Sequence, residues 1–366
     1  MKITAIEAIP IAIPYRHNGP VTGFGGALWT TANYLILRVE TDEGLTGYGE
    51  AFGYNVIPVT RTFIERTLAP LAIGRDATDI AGLMEDLKKT LHIFGRGGVT
   101  QYALSGLDIA LWDLAGKRAG QPVWKLAGGH ARGQVPVYAS LMRLTEPDIV
   151  AASCTQALER GYREIKLHEK TVEAVAAARR TVGDGIELML DVNCAWDVGT
   201  AVEMARGLAP HRLKWLEEPV WPPEDLDGLV RTRRAAPVPI ATGENTPNAW
   251  AFKPLAACEG IDYLQPSVTK VGGITEFLRV GMLAELNGRT LAPHSPYSGP
   301  GFLATLHMTA VFGGIGAIER LYIDLDAPVF GEVGLPRPDG TIAIPDGPGL
   351  GADPDPDILR CYRLDL

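Results

Sequence analysis

The sequence predicts an α/β chain in which a small α+β unit precedes a (β/α)8-type barrel of parallel strands alternating with helices. Three observations carry that expectation. A β-rich hairpin pattern at residues 34–50 is followed by three helical patterns, the order of an α+β unit. After Gly128-Gly129, eight short apolar segments alternate with stretches of one to four helical turns. Polar or ionisable residues close successive segments at Lys166, Asp191, Glu217, Glu244, Ser267, His294 and Glu319, at intervals of 25, 26, 27, 23, 27 and 25 residues. The expected boundaries are residues 1–127 for the α+β unit, 128–324 for the barrel and 325–366 for a tail packing back on the first unit.

Each element has a local reason. Residues 1–7 (MKITAIE) carry an acid inside a short apolar run, which reads as a strand and not as a secretory leader. Residues 34–40 (YLILRVE) alternate, 41–44 (TDEG) form a turn, and 45–50 return as the second arm of a hairpin. Helical patterns follow at 58–68, 79–91 and 101–117. Two stretches near 15–29 and 49–58 are rich in glycine, aromatics and polar groups, which suits a lid. Barrel strands are expected at 135–139, 164–167, 187–192, 213–216, 239–242, 263–265, 290–292 and 317–318, with a helix over 171–182 among the connections. The Pro/Gly/Asp-rich tail keeps one short strand at 341–344.

Composition narrows the function. The 366 residues are 46% hydrophobic and 21% charged, enough for a large core. The net charge of −9 comes without a Lys/Arg block, so a nucleic-acid surface is not expected. Cys154, Cys194, Cys258 and Cys361 are scattered without a C-x-x-C pair, which argues against a zinc ribbon and suits a reducing, cytoplasmic setting. Residues 290–318 hold no Asp, Glu, Lys or Arg, but their prolines, glycines and histidines leave no ~20-residue apolar helix, so no membrane span is expected.

Chemistry in such a barrel sits where the strands end. Asp191, Glu217 and Glu244 are acids on consecutive strands. Each alone could cap a helix or pair with a base, but three converging carboxylates repel unless a cation holds them. All-oxygen ligation favours Mg²⁺ or Mn²⁺. Glu218, next to Glu217 on an extended strand, is expected to face the other way. Lys166 and His168 are two apart, so both face the barrel mouth, where a lysine can neutralise developing charge and a histidine can act as a base. His294 ends the seventh strand and is read as catalytic, whereas His307 reads as a core residue on a helix. Glu319 is followed by Arg320, so a plain ion pair competes with a role in the site. Gly272-Gly273 suits anion binding and close helix–strand packing equally well. Asn193 and Ser267 at strand ends, with Phe24, Trp29 and Tyr54 in the lid segments, are the expected substrate contacts.

These residues resemble the enolase superfamily, in its mandelate racemase/muconate-lactonizing branch. The resemblance spans 103–113 (ALSGLDIALWD), Gly120 and Pro122, 126–129 (LAGG), 215–219 (WLEEP), 243–245 (GEN) and 344–351 (IPDGPGLG). It implies a modified (β/α)7β barrel under an N-terminal α+β capping domain, a divalent metal that is usually Mg²⁺, and a homo-oligomer between dimer and octamer. By the same resemblance Asp191, Glu217 and Glu244 match the metal ligands, and Lys166 the lysine that contacts the substrate carboxylate. His168 stands where a general base is kept, His294 matches the base of a His–Asp dyad, and Glu319 matches the group that helps bind the enolate.

Two departures set the expected reaction. The chain has K-x-H where the family has K-x-K, and Gln265-Pro266-Ser267 where the dyad acid belongs. Ser267 cannot hold His294 as an imidazolium as an aspartate would, which leaves His294 better suited to delivering a proton to a leaving group. Lys270 reads as part of a helix start and not as a replacement. The expectation is abstraction of the proton α to the carboxylate of a small-molecule substrate, then β-elimination that dehydrates a sugar acid or hydroxy acid. Racemisation, epimerisation or cycloisomerisation is the alternative, and a catalytically idle binding protein the reading from another class. The uncharged lid argues against a diacid held by an arginine clamp, with Arg16 the one candidate for such a clamp.

Overall fold

The computed structural model describes residues 1–23 and 27–365; Phe24 lies outside the described residues. The first strand, β1 (Ile3–Arg16), pairs antiparallel with β2 (Thr31–Thr41), and β2 pairs with β3 (Thr46–Ala51). β1 runs well past residue 7, through Pro10 and Pro14. Those prolines can sit in a strand because β1 is flanked there by the tail: the Pro10 carbonyl accepts from Leu364 N–H and Ala12 N–H donates to the Tyr362 carbonyl. The sheet is buried on both faces. Ile9, Ile11, Ile13, Tyr34 and Ile36 pack toward the barrel, while Ala8, Leu35, Leu37 and Val39 pack under helices.

Those helices are α1 (Ile57–Phe63), α2 (Ala69–Ala72), α3 (Ile80–Leu91) and α4 (Val99–Ala119), while the short α5 (Val123–Leu126) packs on the barrel side. The single helix expected over 58–68 is broken by a wider π turn at Ile64–Leu68. Pro70, at the second position of α2, has no N–H to give and would crowd the preceding turn, so the ladder shifts before it. α3 starts where the Asp79 carboxylate accepts from Gly82 N–H at 3.0 Å.

Eight parallel strands follow: β4 (Gln134–Ser140), β5 (Glu164–Leu167), β6 (Glu187–Asp191), β7 (Trp215–Glu217), β8 (Ile240–Thr242), β9 (Tyr263–Leu264), β10 (Thr290–Leu291) and β11 (Ile318–Leu321). Between them run α6 (Pro147–Glu159), α7 (Val172–Val182), α8 (Val198–Leu208), α9 (Leu226–Ala235), α10 (Ala249–Ala257), α11 (Gly273–Leu286) and α12 (Pro300–Val311). Eight strands and seven intervening helices make the (β/α)7β pattern, under the antiparallel sheet of the cap. The strand order is β10-β9-β8-β7-β6-β5-β4-β11. Among the described residues no ladder joins β10 to β11; Ser295 bridges that seam, its N–H donating to Glu319 Oε2 at 3.0 Å and its hydroxyl to the Glu319 carbonyl at 3.1 Å. Tyr138, Met189, Trp215, Ala241, Ala292 and Ala317 form an inner cluster.

The tail contains β12 (Asp324–Leu325), β13 (Thr341–Ala343) and α13 (Pro356–Cys361). β12 pairs with β1 of the cap, but β13 pairs antiparallel with β4 of the barrel, so the tail touches both sheets. Gly272-Gly273 is explained by packing: Gly272 N–H donates to Ser105 Oγ of α4 at 2.9 Å, and a Cβ on Gly273 would lie 2.3 Å from Asp108 Oδ1. Among the described residues no helix is long and apolar enough to cross a membrane.

Candidate active site

The strand ends converge under the cap on a cavity of about 420 Å³. Lys166 and Asp191 are the near-last and last paired residues of their strands, Glu319 is paired within its own, and Glu244 and His294 lie just past theirs. Lys166, Asp191, Glu244, His294 and Glu319 line this space, with Asn193 and His168 from the following loops and Trp29 and Tyr54 from the cap. Trp29 and Tyr54 pack with tilted rings, 4.5 Å between centroids. The lid is shorter than 49–58, because 46–51 belong to β3 and α1 begins at Ile57.

Asp191, Glu217 and Glu244 each offer an oxygen within 4.8 Å of the others. Lys166 lies among acids, its Nζ 2.8 Å from Glu319, 3.0 Å from Glu217 and 3.4 Å from Asp191. Burial opposes its charge, but these three carboxylates together hold it protonated, well above the ordinary lysine range. One ammonium does not offset them all. Burial and the neighbouring Asp191 push Glu217 well above the usual carboxylate range, and burial with Glu244 and Asp191 lifts Glu218 to about 8. An all-carboxylate nest of oxygen donors suits a hard divalent cation such as Mg²⁺ or Mn²⁺ better than zinc.

Glu218 corrects an expectation. It does not point away from the site: the chain breaks from the extended conformation there, with φ of 43°, and the side chain lines the cavity, accepting from Cys194 Sγ at 3.3 Å. Glu217, by contrast, sits beneath the cavity wall, where its Oε2 accepts from Trp215 Nε1 at 2.9 Å. Ser267 is also behind the wall, 1% exposed, so it is a neighbour of His294 and not a substrate contact.

The two histidines are held by different chemistry. Nδ1 of His168 is 2.5 Å from the Leu141 carbonyl. A carbonyl only accepts, so Nδ1 carries a hydrogen, and Nε2, 3.4 Å from Asp191 Oδ2, is the ring nitrogen turned to the site. Nδ1 of His294 instead meets two hydroxyls, Tyr297 Oη at 3.2 Å and Ser267 Oγ at 3.4 Å, while its Nε2 is 3.0 Å from Glu244. Glu319 accepts from Ser140 Oγ at 2.8 Å and from Ser295 N–H. Arg320 does not pair with it; that guanidinium donates to the Tyr297 carbonyl and lies over the Phe302 ring.

Some residues of the site escape strand-end reasoning. Lys270 lies in the turn before α11, 2.9 Å from Asn245 Oδ1, 3.6 Å from Glu244 and 4.4 Å above the Phe52 ring. Arg143, three residues past β4, lines the cavity and donates to the His168 carbonyl at 3.1 Å. The cavity therefore has an arginine, whereas Arg16 is largely exposed and near Asp326. Tyr297, three residues beyond His294 in the stretch without Asp, Glu, Lys or Arg, stands between Pro296 and Ser298 and carries no motif in the sequence. His307 is a core residue: it is fully buried in α12, accepts from Trp124 N–H, and burial lowers its pKa to about 4.

Known proteins share this architecture. Residues 150–358 match the family model described as enolase C-terminal domain-like, and residues 15–128 match that of the mandelate racemase/muconate lactonizing enzyme N-terminal domain. A 3,6-anhydro-alpha-L-galactonate cycloisomerase of Streptomyces coelicolor is 36% identical over 332 residues, 87% of this chain and 88% of that one. An arabinonate dehydratase of Saccharolobus solfataricus is 31% identical over 327 residues, 87% of each chain. The crystal structure of a racemase from Streptomyces coelicolor with bound magnesium superposes with a TM-score of 0.88 at 30% identity, covering 99% of this chain and 100% of that one. Two matching domain models, a shared fold and a carboxylate trio at the strand ends agree: this chain belongs to the mandelate racemase/muconate-lactonizing branch of the enolase superfamily.

Proposed function

We propose that this protein is a Mg²⁺-dependent lyase that removes the proton α to the carboxylate of a small sugar acid and expels the β-hydroxyl as water. The observation that carries the proposal is the unlike setting of the two histidines around the carboxylate trio: the Leu141 carbonyl fixes Nδ1 of His168 and turns its Nε2 to the site, while uncharged hydroxyls hold Nδ1 of His294. Asp191, Glu217 and Glu244 would hold Mg²⁺, or Mn²⁺ in its place, and a cation bound there draws charge from the substrate carboxylate and makes its α-proton more acidic. Lys166 donates to the same developing charge, and Glu319 fixes the position of that ammonium. Nε2 of His168 takes the α-proton, and the C–H electron pair enters the enediolate. As the electrons return to form the Cα–Cβ double bond, the β C–O bond breaks and the leaving oxygen takes a proton from Nε2 of His294. The resulting enol becomes a 2-keto-3-deoxy acid. Trp29 and Tyr54 cover the substrate; Asn193, Lys270 and Arg143 offer polar contacts to its hydroxyls.

The cycloisomerase relative supports a second reading of the same elimination. If the β-oxygen belongs to the substrate's own ring, its departure opens the ring and no atom is lost. A homo-oligomer in a cytoplasmic setting belongs to the same proposal. The test is the Mg²⁺-loaded protein in D₂O with a panel of aldonates, their lactones and anhydro-sugar acids, followed by NMR. Expected are α-proton exchange and a keto-acid signal from at least one class. Tight metal binding without exchange on any member would favour an idle binding protein, and exchange with inversion but no elimination would favour an epimerase.

A further inference from the structure

The dyad acid is missing at Ser267, yet His294 is not loosely held. Tyr297 is 3% exposed, its hydroxyl is hydrogen-bonded to Ser267 Oγ, and the same hydroxyl is 3.2 Å from Nδ1 of His294. The two rings meet nearly edge to face, at 79° and 5.9 Å between centroids. The tyrosine is itself anchored from the eighth strand, because Arg320 donates to its backbone carbonyl at 2.9 Å. Burial raises the phenol well above the ordinary tyrosine range, so the hydroxyl keeps its hydrogen.

We propose that Tyr297 is the positioning residue of His294: its hydroxyl, bridged by Ser267, holds Nδ1 and aims Nε2 into the cavity, the duty a dyad carboxylate would otherwise perform. A carboxylate accepts only, and it brings a charge. A hydroxyl donates or accepts and brings none, so it sets the direction of the ring without biasing which nitrogen carries the hydrogen. The pair thus orients a proton donor for the leaving oxygen. This rests on the elimination proposed above only in giving His294 that task.

The test compares the native protein with Tyr297→Phe and Ser267→Ala by crystal structure, thermal midpoint, kcat and KM, and α-proton exchange in D₂O. Phenylalanine fills the same space, so the fold should persist. Expected for Tyr297→Phe is a His294 ring that turns away from its native direction, a fall in kcat for elimination of about 10²-fold, the loss typical of a misaimed group, with KM nearly unchanged. Exchange should continue, since His168 is held by Leu141. Ser267→Ala should keep the ring direction and lose less than Tyr297→Phe. An unmoved ring with native kcat in Tyr297→Phe would reduce the tyrosine to packing, and a joint loss of exchange, KM and melting temperature would make it a general support of the site. If Tyr297→Phe fails to fold, a Ser267→Ala variant that frees the Tyr297 hydroxyl from its bridge and yet leaves the His294 ring and kcat native keeps the proposal, whereas a ring that swings away while Tyr297 stays put overturns it. If no acid is turned over by the native protein, the elimination proposal fails, while the ring direction in the crystals still decides this one.

Discussion

At Glu244 one carboxylate meets two nitrogen groups: Nε2 of His294 is 3.0 Å away and Nζ of Lys270 3.6 Å. Glu244→Gln should lower Mg²⁺ affinity and abolish turnover while the melting temperature holds, because the side chain sits outside the apolar core; titration calorimetry and a thermal scan check both halves. The neighbouring pair gives a sharper contest. Glu217 touches Lys166 and Trp215 below the cavity, whereas Glu218 lines it and meets Cys194. Glu217→Gln is expected to weaken metal binding far more than Glu218→Gln, and the opposite order would move the ligand role to Glu218. His168→Asn should remove α-proton exchange by ~10²–10⁴-fold, the range for losing a positioned base. The strand-end residues were legible because the barrel repeats at a nearly constant interval. Arg143, Lys270 and Tyr297 were not, because loop residues have no phase to read, and Glu218 was misplaced because an extended backbone was assumed where φ is positive.

Among the elements, the barrel strands were easiest to read, since short apolar runs between helices have one common use. The cap was harder. β1 is buried on both faces and crosses two prolines, so neither alternation nor propensity marks its true length. The close contact between β3 and α4 was also hidden. Gly47 and Gly49 share a face of β3 and let the helix backbone approach: a Cβ at Gly49 would lie 1.9 Å from the Gly106 carbonyl oxygen, and one at Gly47 2.4 Å from that of Ala110. Neither obstacle is a flexible side chain, so strand and helix must part. Gly49→Ala should cost at least the roughly 1–3 kcal/mol of an overpacked core, read as a lower denaturation midpoint. An unchanged midpoint would show that the contact can relax.

Across the whole molecule, cap carboxylates reach the first turns of barrel helices. Glu50 of β3 accepts from Gly301 N–H of α12 at 2.8 Å, and Asp108 of α4 from Thr275 N–H of α11 at 2.9 Å. Burial outweighs these bonds, raising Glu50 to about 8 and Asp108 to about 6. A folded-state carboxyl raised above its unfolded value holds its proton longer in the native state. Its penalty is therefore absent below the unfolded pKa and grows as pH climbs from about 4.5 toward 8 for Glu50, on the order of 5 kcal/mol in all. Unfolding measured between pH 5 and 8 should show stability falling with pH. Glu50→Gln, which keeps an acceptor for Gly301, should reduce that slope and leave the contributions of Asp108, Glu217 and Glu218; an identical slope would show that Glu50 does not set it. The same contacts restrict how this architecture can be shuffled. A Cβ on Gly299 would lie 2.4 Å from Glu50 Oε2, just as one on Gly273 would crowd Asp108, so each acid of one part has a matching bare backbone in the other. A chimera that joins this cap to a relative's barrel inherits half of each lock, and recombination can succeed only where both halves travel together.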